Sequence, residues 1–233
     1  KGKEKEAEPC PRKGCVGNYF HPVTGKKEVC RFQHARKESL VPGSPVLPKS
    51  VARSKHAILS KKGSDGSWFK NANAVCCGSR MVTSHHAHDP GVAADLENDA
   101  GAHALVQFKQ YRNIDLATCP KPPGFGASYK MAVPKIGEEV WVVGYDCDSN
   151  TTWHESVGAV EELQAPYLSI EGALCHTAST HPTLSGSAVI NRQGQLVGWH
   201  QAGNDVSAPR NCFIAVTSQM IVDFGSTGSS ATH

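Results

Sequence analysis

The sequence has 233 residues, 39% of them hydrophobic, which allows one large domain or two small ones with a sizeable core. A formal net charge of +3 is too small for the chain as a whole to be a nucleic-acid binder. No stretch approaches the ~20 apolar residues that cross a bilayer, and no apolar secretory segment opens the sequence. We therefore expect a soluble chain with no membrane segment.

Residues 1–50 form a predicted basic N-terminal extension. They are charged, rich in Pro and Gly, and lack periodicity, and the linker-like sequence VPGSPVLP closes them at 41–48. A basic arm ahead of a near-neutral domain predicts a contact with RNA. The alternative is a solvated, flexible leader.

The extension also carries a candidate structural zinc site. Three thiols and an imidazole resemble the ligands of three-cysteine, one-histidine zinc fingers, and tetrahedral Zn²⁺ suits them. The predicted ligands are Cys10, Cys15, Cys30 and His34, with His21 as an alternative ligand. The spacing of the first three differs from that of the common family, so a leader without metal stays open.

The part of the chain from 51 to 225 is predicted to be all-β. Short apolar runs alternate with turn residues, a pattern typical of sandwiches and barrels. The proline-rich segment 119–126 interrupts them, which favours two antiparallel six-stranded barrels at about 51–118 and 134–217. A short helix is predicted over Thr217–Phe224, with Thr217 as N-cap, and residues 226–233 read as a flexible tail. The predicted strands are His56–Ser60, Ser67–Lys70, Ala74–Cys77, Arg80–Thr83, Ala104–Phe108, Glu139–Gly144, Trp153–Glu161, Tyr167–Glu171, Ala173–Ala178, Ser187–Asn191, Gln195–His200 and Asn211–Val216.

A candidate nucleophile lies at Ser185. The sequence TLSGSAVI at 183–190 places this serine at the entrance to a predicted hairpin. A nucleophilic serine needs a tight turn whose N–H groups face a developing oxyanion, and the following glycine permits close approach of the backbone. By itself, a Ser-Gly-Ser tripeptide more often marks an ordinary loop.

A candidate general base follows a short predicted strand. The sequence VTSHH at 82–86 ends in two histidines, and a base that activates serine must be held at the mouth of a rigid strand. This segment resembles the Val-Thr-Ala-Ala-His of chymotrypsin-like proteases, which puts the catalytic position on His86. A surface cluster, or a metal site built from His85, His86, His88 and Asp89, remains as an alternative.

A candidate third member lies at Asp115, in the sequence YRNIDLA at 111–117. This segment resembles the Asp-Ile/Leu-Ala of the same family, in which a buried aspartate holds the histidine in the correct tautomer. The competitors Asp89, Asp95 and Asp99 lie in a polar stretch that we interpret as an exposed loop. The chain order His, Asp, Ser is that of chymotrypsin.

The resemblance extends over roughly residues 52–224 and implies a fold and an activity. The segments at 134–145 and 211–216 are similar to strands of the second barrel in such proteases. The family resemblance implies two barrels of chymotrypsin type, serine endopeptidase activity, and no cofactor for catalysis. Because the likeness is to viral 3C-like proteases, such as those of sobemoviruses, arteriviruses and astroviruses, it also implies a polyprotein substrate.

The same resemblance implies a specificity pocket. In 3C-like proteases a Gly-x-His after the nucleophile hairpin, and a threonine five residues before the serine, bind the side chain preceding the cut. Here these positions are His200 and Thr180, with Asn204 as a further lining residue. Their N–H and hydroxyl groups imply a preference for Glu or Gln. A buried core histidine is the alternative reading of His200.

One position departs from the family. The residue two before the serine is usually glycine, and its N–H completes the oxyanion hole together with that of the serine. Here it is Thr183, whose β-branched side chain resists unusual backbone angles. We therefore expect a hole formed by Thr183 and Ser185 that is imperfect until substrate binds.

The nine cysteines do not suit a tight disulfide framework, since their number is odd and Cys76 and Cys77 are adjacent. They indicate a reducing compartment, the host cell cytoplasm. Two other function classes stay open: an inactive protease-like fold that binds RNA or protein, and a metal-binding interaction protein.

Overall fold

The computed structural model describes residues 18–20, 27–29, 47–147, 150–165, 167–202 and 211–225. Cys10, Cys15, Cys30, His34, Asn204 and the tail 226–233 lie outside these residues, so the predictions on them stay predictions. The strands and helices are β1 (Asn18–Phe20), β2 (Lys27–Val29), α1 (Lys49–Ser54), β3 (His56–Lys62), β4 (Trp68–Cys77), β5 (Arg80–Thr83), β6 (Ala94–Asn98), β7 (His103–Val106), β8 (Lys109–Gln110), β9 (Ala117–Pro120), β10 (Glu139–Asp146), β11 (Thr152–Glu161), β12 (Ala173–His176), β13 (Ala188–Asn191), β14 (Leu196–Ala202), β15 (Asn211–Ala215) and α2 (Ser218–Phe224).

Two antiparallel β units form the body of the fold. The second is a closed barrel with the strand order β10-β11-β12-β15-β14-β13. The first is a seven-stranded sheet with the order β7-β6-β3-β4-β5-β9-β8. The predicted all-β architecture of two barrels is confirmed, with the difference that the pairings of the first unit leave it open and give it seven strands.

Strand alternation explains how the two units pack together. On β10, Val140 and Val142 face the interior of the second barrel, whereas Trp141 and Val143 face a core shared by both units. The same alternation on β4 and β5 sends Val75, Val82 and their neighbours into that shared core. Each unit therefore has its own apolar interior, and a third cluster joins them.

Several predicted elements need correction. Tyr167–Glu171 is a series of turns, and the two strands predicted within 67–77 are one strand, β4. The stretch interpreted as an exposed loop contains β6. Its apolar residues Ala94 and Leu96 alternate with polar ones, and their side chains enter the core of the first unit. The sequence does not predict helix α1 or strands β1, β2, β8 and β9, because each of them is at most six residues long and shows little periodicity.

The closing helix is confirmed at its predicted position. The Thr217 hydroxyl accepts a hydrogen bond from the Met220 N–H at 3.2 Å, and the helix ends at Gly225 in the left-handed conformation (φ 68°). Met220 and Phe224 are buried in the shared core. The helix therefore covers the junction of the two units.

Six cysteines belong to the described part of the chain, and all six are buried: Cys76, Cys77, Cys119, Cys147, Cys175 and Cys212. Among the helices described, none has the length and apolar character to span a bilayer.

Candidate active site

His86 lies immediately after a buried strand of the first unit. Strand β5 ends at Thr83, and the chain then turns through a 3₁₀ helix at His85–Ala87. The Ala87 N–H donates to the Ser84 carbonyl at 3.0 Å, which closes this turn. The imidazole of His86 is thereby held at the mouth of a rigid strand, with its side chain 48% exposed.

Asp115 holds His86 at two points. One carboxylate oxygen accepts the His86 backbone N–H at 2.9 Å, and the other contacts Nδ1 of the ring at 2.7 Å. Burial raises the pKa of Asp115, but the hydrogen bonds from His86 and Gln201 outweigh it, so its pKa lies below the ordinary value. Because a carboxylate only accepts, the proton of a neutral His86 ring resides on Nδ1.

Ser185 contacts the second nitrogen of this imidazole. Its Oγ lies 3.1 Å from His86 Nε2, the nitrogen left unprotonated by the contact with Asp115. Gly186 follows the serine with φ +80°, and a Cβ there would lie 2.2 Å from the Asn73 carbonyl oxygen. Glycine is therefore required after the serine for two reasons: its positive φ, and the lack of space for a Cβ.

Gln201 contacts both Asp115 and Ser185, the two residues on either side of His86. Its Nε2 donates to Asp115 Oδ2 at 2.6 Å, and its backbone carbonyl lies 3.4 Å from Ser185 Oγ. The Cys212 thiol contacts Gln201 Oε1 at 3.0 Å, which fixes the orientation of the amide. A residue of the second barrel therefore steadies a carboxylate of the first unit.

The turn before Ser185 is a 3₁₀ helix over Pro182–Leu184. In this geometry each carbonyl is directed towards the N–H three residues later, so the Pro182 carbonyl faces the Ser185 N–H. The Thr183 hydroxyl anchors the turn, since it donates to Asp146 Oδ1 at 2.8 Å and accepts from the Cys147 N–H at 2.9 Å. The two predicted oxyanion donors are therefore not presented together in this conformation.

Asn73 fastens this turn to the first unit. Its buried amide donates to the carbonyls of Tyr145 at 2.9 Å and Thr183 at 3.3 Å, while its Oδ1 accepts the Tyr145 N–H at 2.7 Å. The Asn73 backbone N–H also donates to the Ser185 carbonyl at 2.9 Å. Sequence reasoning missed this residue because an asparagine inside an apolar strand carries no motif.

One of the predicted specificity residues, His200, belongs to a buried pair of histidines. His200 Nδ1 lies 3.1 Å from Nε2 of His176, a residue that sequence reasoning did not single out. Burial lowers the pKa of His176 to about 3 and the pKa of His200 well below its ordinary value. The Thr180 hydroxyl is buried and has no hydrogen-bond partner among the described residues.

The competing acidic residues make other contacts. Asp95 accepts from His103 at 2.9 Å, Asp89 lies 3.8 Å from the Lys61 ammonium, and Asp99 is exposed.

The alternative metal site beside His86 gains no support from the geometry. His85 Nδ1 and His88 Nε2 contact each other at 3.1 Å. Within the described ranges, no group of three or more His, Cys, Asp or Glu side chains is arranged to hold a metal ion.

Solved structures with the same fold include several proteases. A catalytically active tobacco etch virus protease in complex with product superposes with a TM-score of 0.63 at 18% identity, covering 83% of this chain and 86% of that one. The serine protease of a human pathogenic astrovirus gives 0.56 at 14%, covering 72% and 92%. The HtrA-type protease AlgW with a tripeptide gives 0.61 at 16%, covering 75% of this chain but only 60% of AlgW. No protein-family model and no curated protein matches the sequence. The chain therefore has the fold of chymotrypsin-like proteases, as its motifs predicted.

Proposed function

We propose that the chain is a serine endopeptidase that cuts a viral polyprotein, its own flanks included, after Glu or Gln. The observation that supports this most is the unbroken sequence of contacts from Asp115 through His86 to Ser185, at 2.7 Å and 3.1 Å. These residues come from two units with the fold of proteases, and their order is that of chymotrypsin.

The proposed reaction follows from the protonation of His86. Its unprotonated Nε2 accepts the Ser185 hydroxyl proton while Oγ attacks the scissile carbonyl and forms a bond to carbon. The carbon–nitrogen bond then breaks, and the imidazolium returns the proton to the leaving amine. Water then attacks the acyl carbon and gives a proton to Nε2. The bond between that carbon and Ser185 Oγ breaks, and the imidazolium returns the proton to Oγ as the acid product leaves. Asp115 stabilises the imidazolium and remains ionised throughout.

The oxyanion requires a rearrangement of the preceding turn. We expect the peptide between Pro182 and Thr183 to rotate when substrate binds, so that the N–H groups of Thr183 and Ser185 face the same point. A hole that lacks one donor costs about 10²–10³ in rate. Slow turnover in the absence of a well-fitting substrate follows from this geometry.

The preference for Glu or Gln rests on two donors. A neutral His200 offers one ring N–H, and Thr180 offers a buried hydroxyl that has no partner among the described residues. Both can donate to a side-chain oxygen of the substrate, and Asn204 is proposed as a third lining residue. Replacing His200 with Leu should abolish the preference; an unchanged cleavage profile would rule out this assignment.

The N-terminal extension adds two separate proposals. We propose that its basic residues contact RNA and that Cys10, Cys15, Cys30 and His34 hold a structural zinc ion, with the host cytoplasm as the site of action. Neither feature takes part in the catalytic steps. Metal analysis of the full chain tests the zinc site, and less than about one zinc per chain would remove it.

Cleavage of a peptide library tests the proposed function. The wild-type chain should cut after Gln or Glu, and Ser185→Ala, which leaves His86 and Asp115 in place, should not cut at all. Cleavage that persists in Ser185→Ala would assign the activity to another nucleophile or to a contaminant. If neither protein cuts, a protease-like binding module becomes the better description.

A further inference from the structure

The buried pair His176 and His200 has a defined arrangement of protons. The Ala178 backbone N–H donates to His176 Nδ1 at 3.1 Å, so that nitrogen must be unprotonated. A neutral His176 therefore carries its proton on Nε2, which lies 3.1 Å from His200 Nδ1. Since His200 Nδ1 must accept a hydrogen bond from this N–H, it is unprotonated, and the proton of a neutral His200 lies on Nε2.

We propose that His176 is a positioning residue that fixes His200 as a neutral Nε2–H donor, and that the pocket for this reason selects glutamine over glutamate before the cut. The choice of substrate side chain rests on the proposed function, whereas the arrangement of protons does not. His176 acts through His200 and is not itself expected to touch the substrate, because it is fully buried.

The selection follows from what a carboxylate would require. A buried carboxylate needs a compensating charge, which an imidazolium at His200 would supply. That imidazolium would carry a proton on Nδ1 facing His176 Nε2, and the proton of His176 would have to move to Nδ1. There it would meet the Ala178 N–H, and two donors would face each other. A neutral amide oxygen needs only the N–H that is already in place.

The surroundings of His200 point the same way. Burial is the main cause of its lowered pKa, and the ionisable groups that lower it further are His176, His154 and His86. All three are histidines, so none of them offers the permanent positive charge of a lysine or arginine. The Thr180 hydroxyl is likewise a neutral donor.

Nitrogen NMR of the full chain with ¹⁵N-labelled histidine tests the arrangement without any cleavage. At neutral pH, His200 should show a protonated Nε2 and an unprotonated Nδ1, and so should His176. In His176→Phe, which keeps an aromatic ring beside Phe213, His200 should lose this single tautomer. Protonation of His200 on Nδ1 in the wild-type chain would overturn the proposal.

Two peptides that differ only in Gln or Glu before the cut test the selectivity. The wild-type chain should favour the Gln peptide by more than about tenfold in kcat/KM, and His176→Phe should lower this ratio by a similar factor. If His176 had only a structural role, His176→Phe would lower kcat/KM for the Gln peptide and for the Glu peptide by the same factor. His176→Gln supplies a side-chain amide donor in place of the imidazole and should restore most of the ratio, while the exposed His103→Phe should leave it unchanged.

The outcomes separate this inference from the proposed function. A wild-type ratio at or below one, or a ratio unchanged in His176→Phe, would refute the role of His176 although the chain is a protease. If neither peptide is cut, the proposed function fails, and the tautomer measurement alone decides whether His176 fixes His200. If His176→Phe does not fold, the wild-type NMR spectrum still tests the tautomer of His200. The Gln over Glu ratio of His176→Gln then tests whether a donor at position 176 maintains the selectivity.

Discussion

Asn73 connects the first β unit to the turn that carries Ser185, and replacing it by aspartate tests that connection at nearly constant volume. The side chain is fully buried, with Nδ2 donating to the carbonyls of Tyr145 and Thr183 and Oδ1 accepting from the Tyr145 N–H. Asn73→Asp keeps the acceptor but replaces both donated hydrogen bonds by repulsion between oxygens.

The expected loss follows from the contacts. A buried acceptor that loses its donor costs about 1–3 kcal/mol, and the contact with Tyr145 at 2.9 Å is better than that with Thr183 at 3.3 Å. We therefore expect a loss of about 3 kcal/mol in the free energy of unfolding at neutral pH. For a chain of 233 residues this lowers Tm by roughly 6–12 °C.

Urea unfolding at two pH values measures this loss. Burial raises the pKa of the introduced carboxyl in the folded state, so the neutral form that folding favours is populated as the pH falls, and the difference from wild type should shrink at lower pH. Gln107→Glu makes the same chemical change on the surface and should shift stability by no more than about 0.5 kcal/mol. A loss below about 1 kcal/mol in Asn73→Asp would refute the proposed connection.

Three further substitutions or conditions test other parts of the structure. Asp115→Asn should lower kcat by about 10⁴ with little change in KM, because the amide no longer fixes the His tautomer; steady-state kinetics would contradict this with a loss below tenfold. Gly186→Ala should cost at least about 2 kcal/mol in urea unfolding, since φ is +80° and its Cβ would lie 2.2 Å from the Asn73 carbonyl oxygen. Stability should fall as the pH drops below about 6.5, because His176 and His200 are protonated on unfolding but have lowered pKa values when folded. Each contributes up to about 1.4 kcal/mol per pH unit, and His176→Phe should flatten the slope measured by unfolding at several pH values.

The sequence allowed the fold and the central site to be predicted because their signals are local. His86, Asp115 and Ser185 each stand beside a strand with a recognisable alternation, and their order along the chain limits how they can meet. Gln201 and His176 lacked such a signal, since their partners lie 86 and 24 residues away in the sequence. Gln201 directly follows His200, the last residue of the predicted strand Gln195–His200, and this adjacency is the signal that could have placed it near the site.

The missed elements have a comparable cause. Strand β6 contains Asp95 and Glu97 on its outer side, so its charge concealed the apolar inner side formed by Ala94 and Leu96. The sequence predicts an imperfect oxyanion hole from Thr183, but it does not predict the 3₁₀ helix over Pro182–Leu184. Its conformation depends on the contacts of Thr183 with Asp146 and Cys147, which no local sequence pattern indicates.

Labelling with a fluorophosphonate probe, followed by peptide mapping, tests the proposed nucleophile most directly. The probe should modify Ser185 alone, and His86→Ala should abolish the modification while leaving the fold intact by circular dichroism. Modification at a different residue, or equal labelling of Ser185 in His86→Ala, would contradict an activated serine at this site.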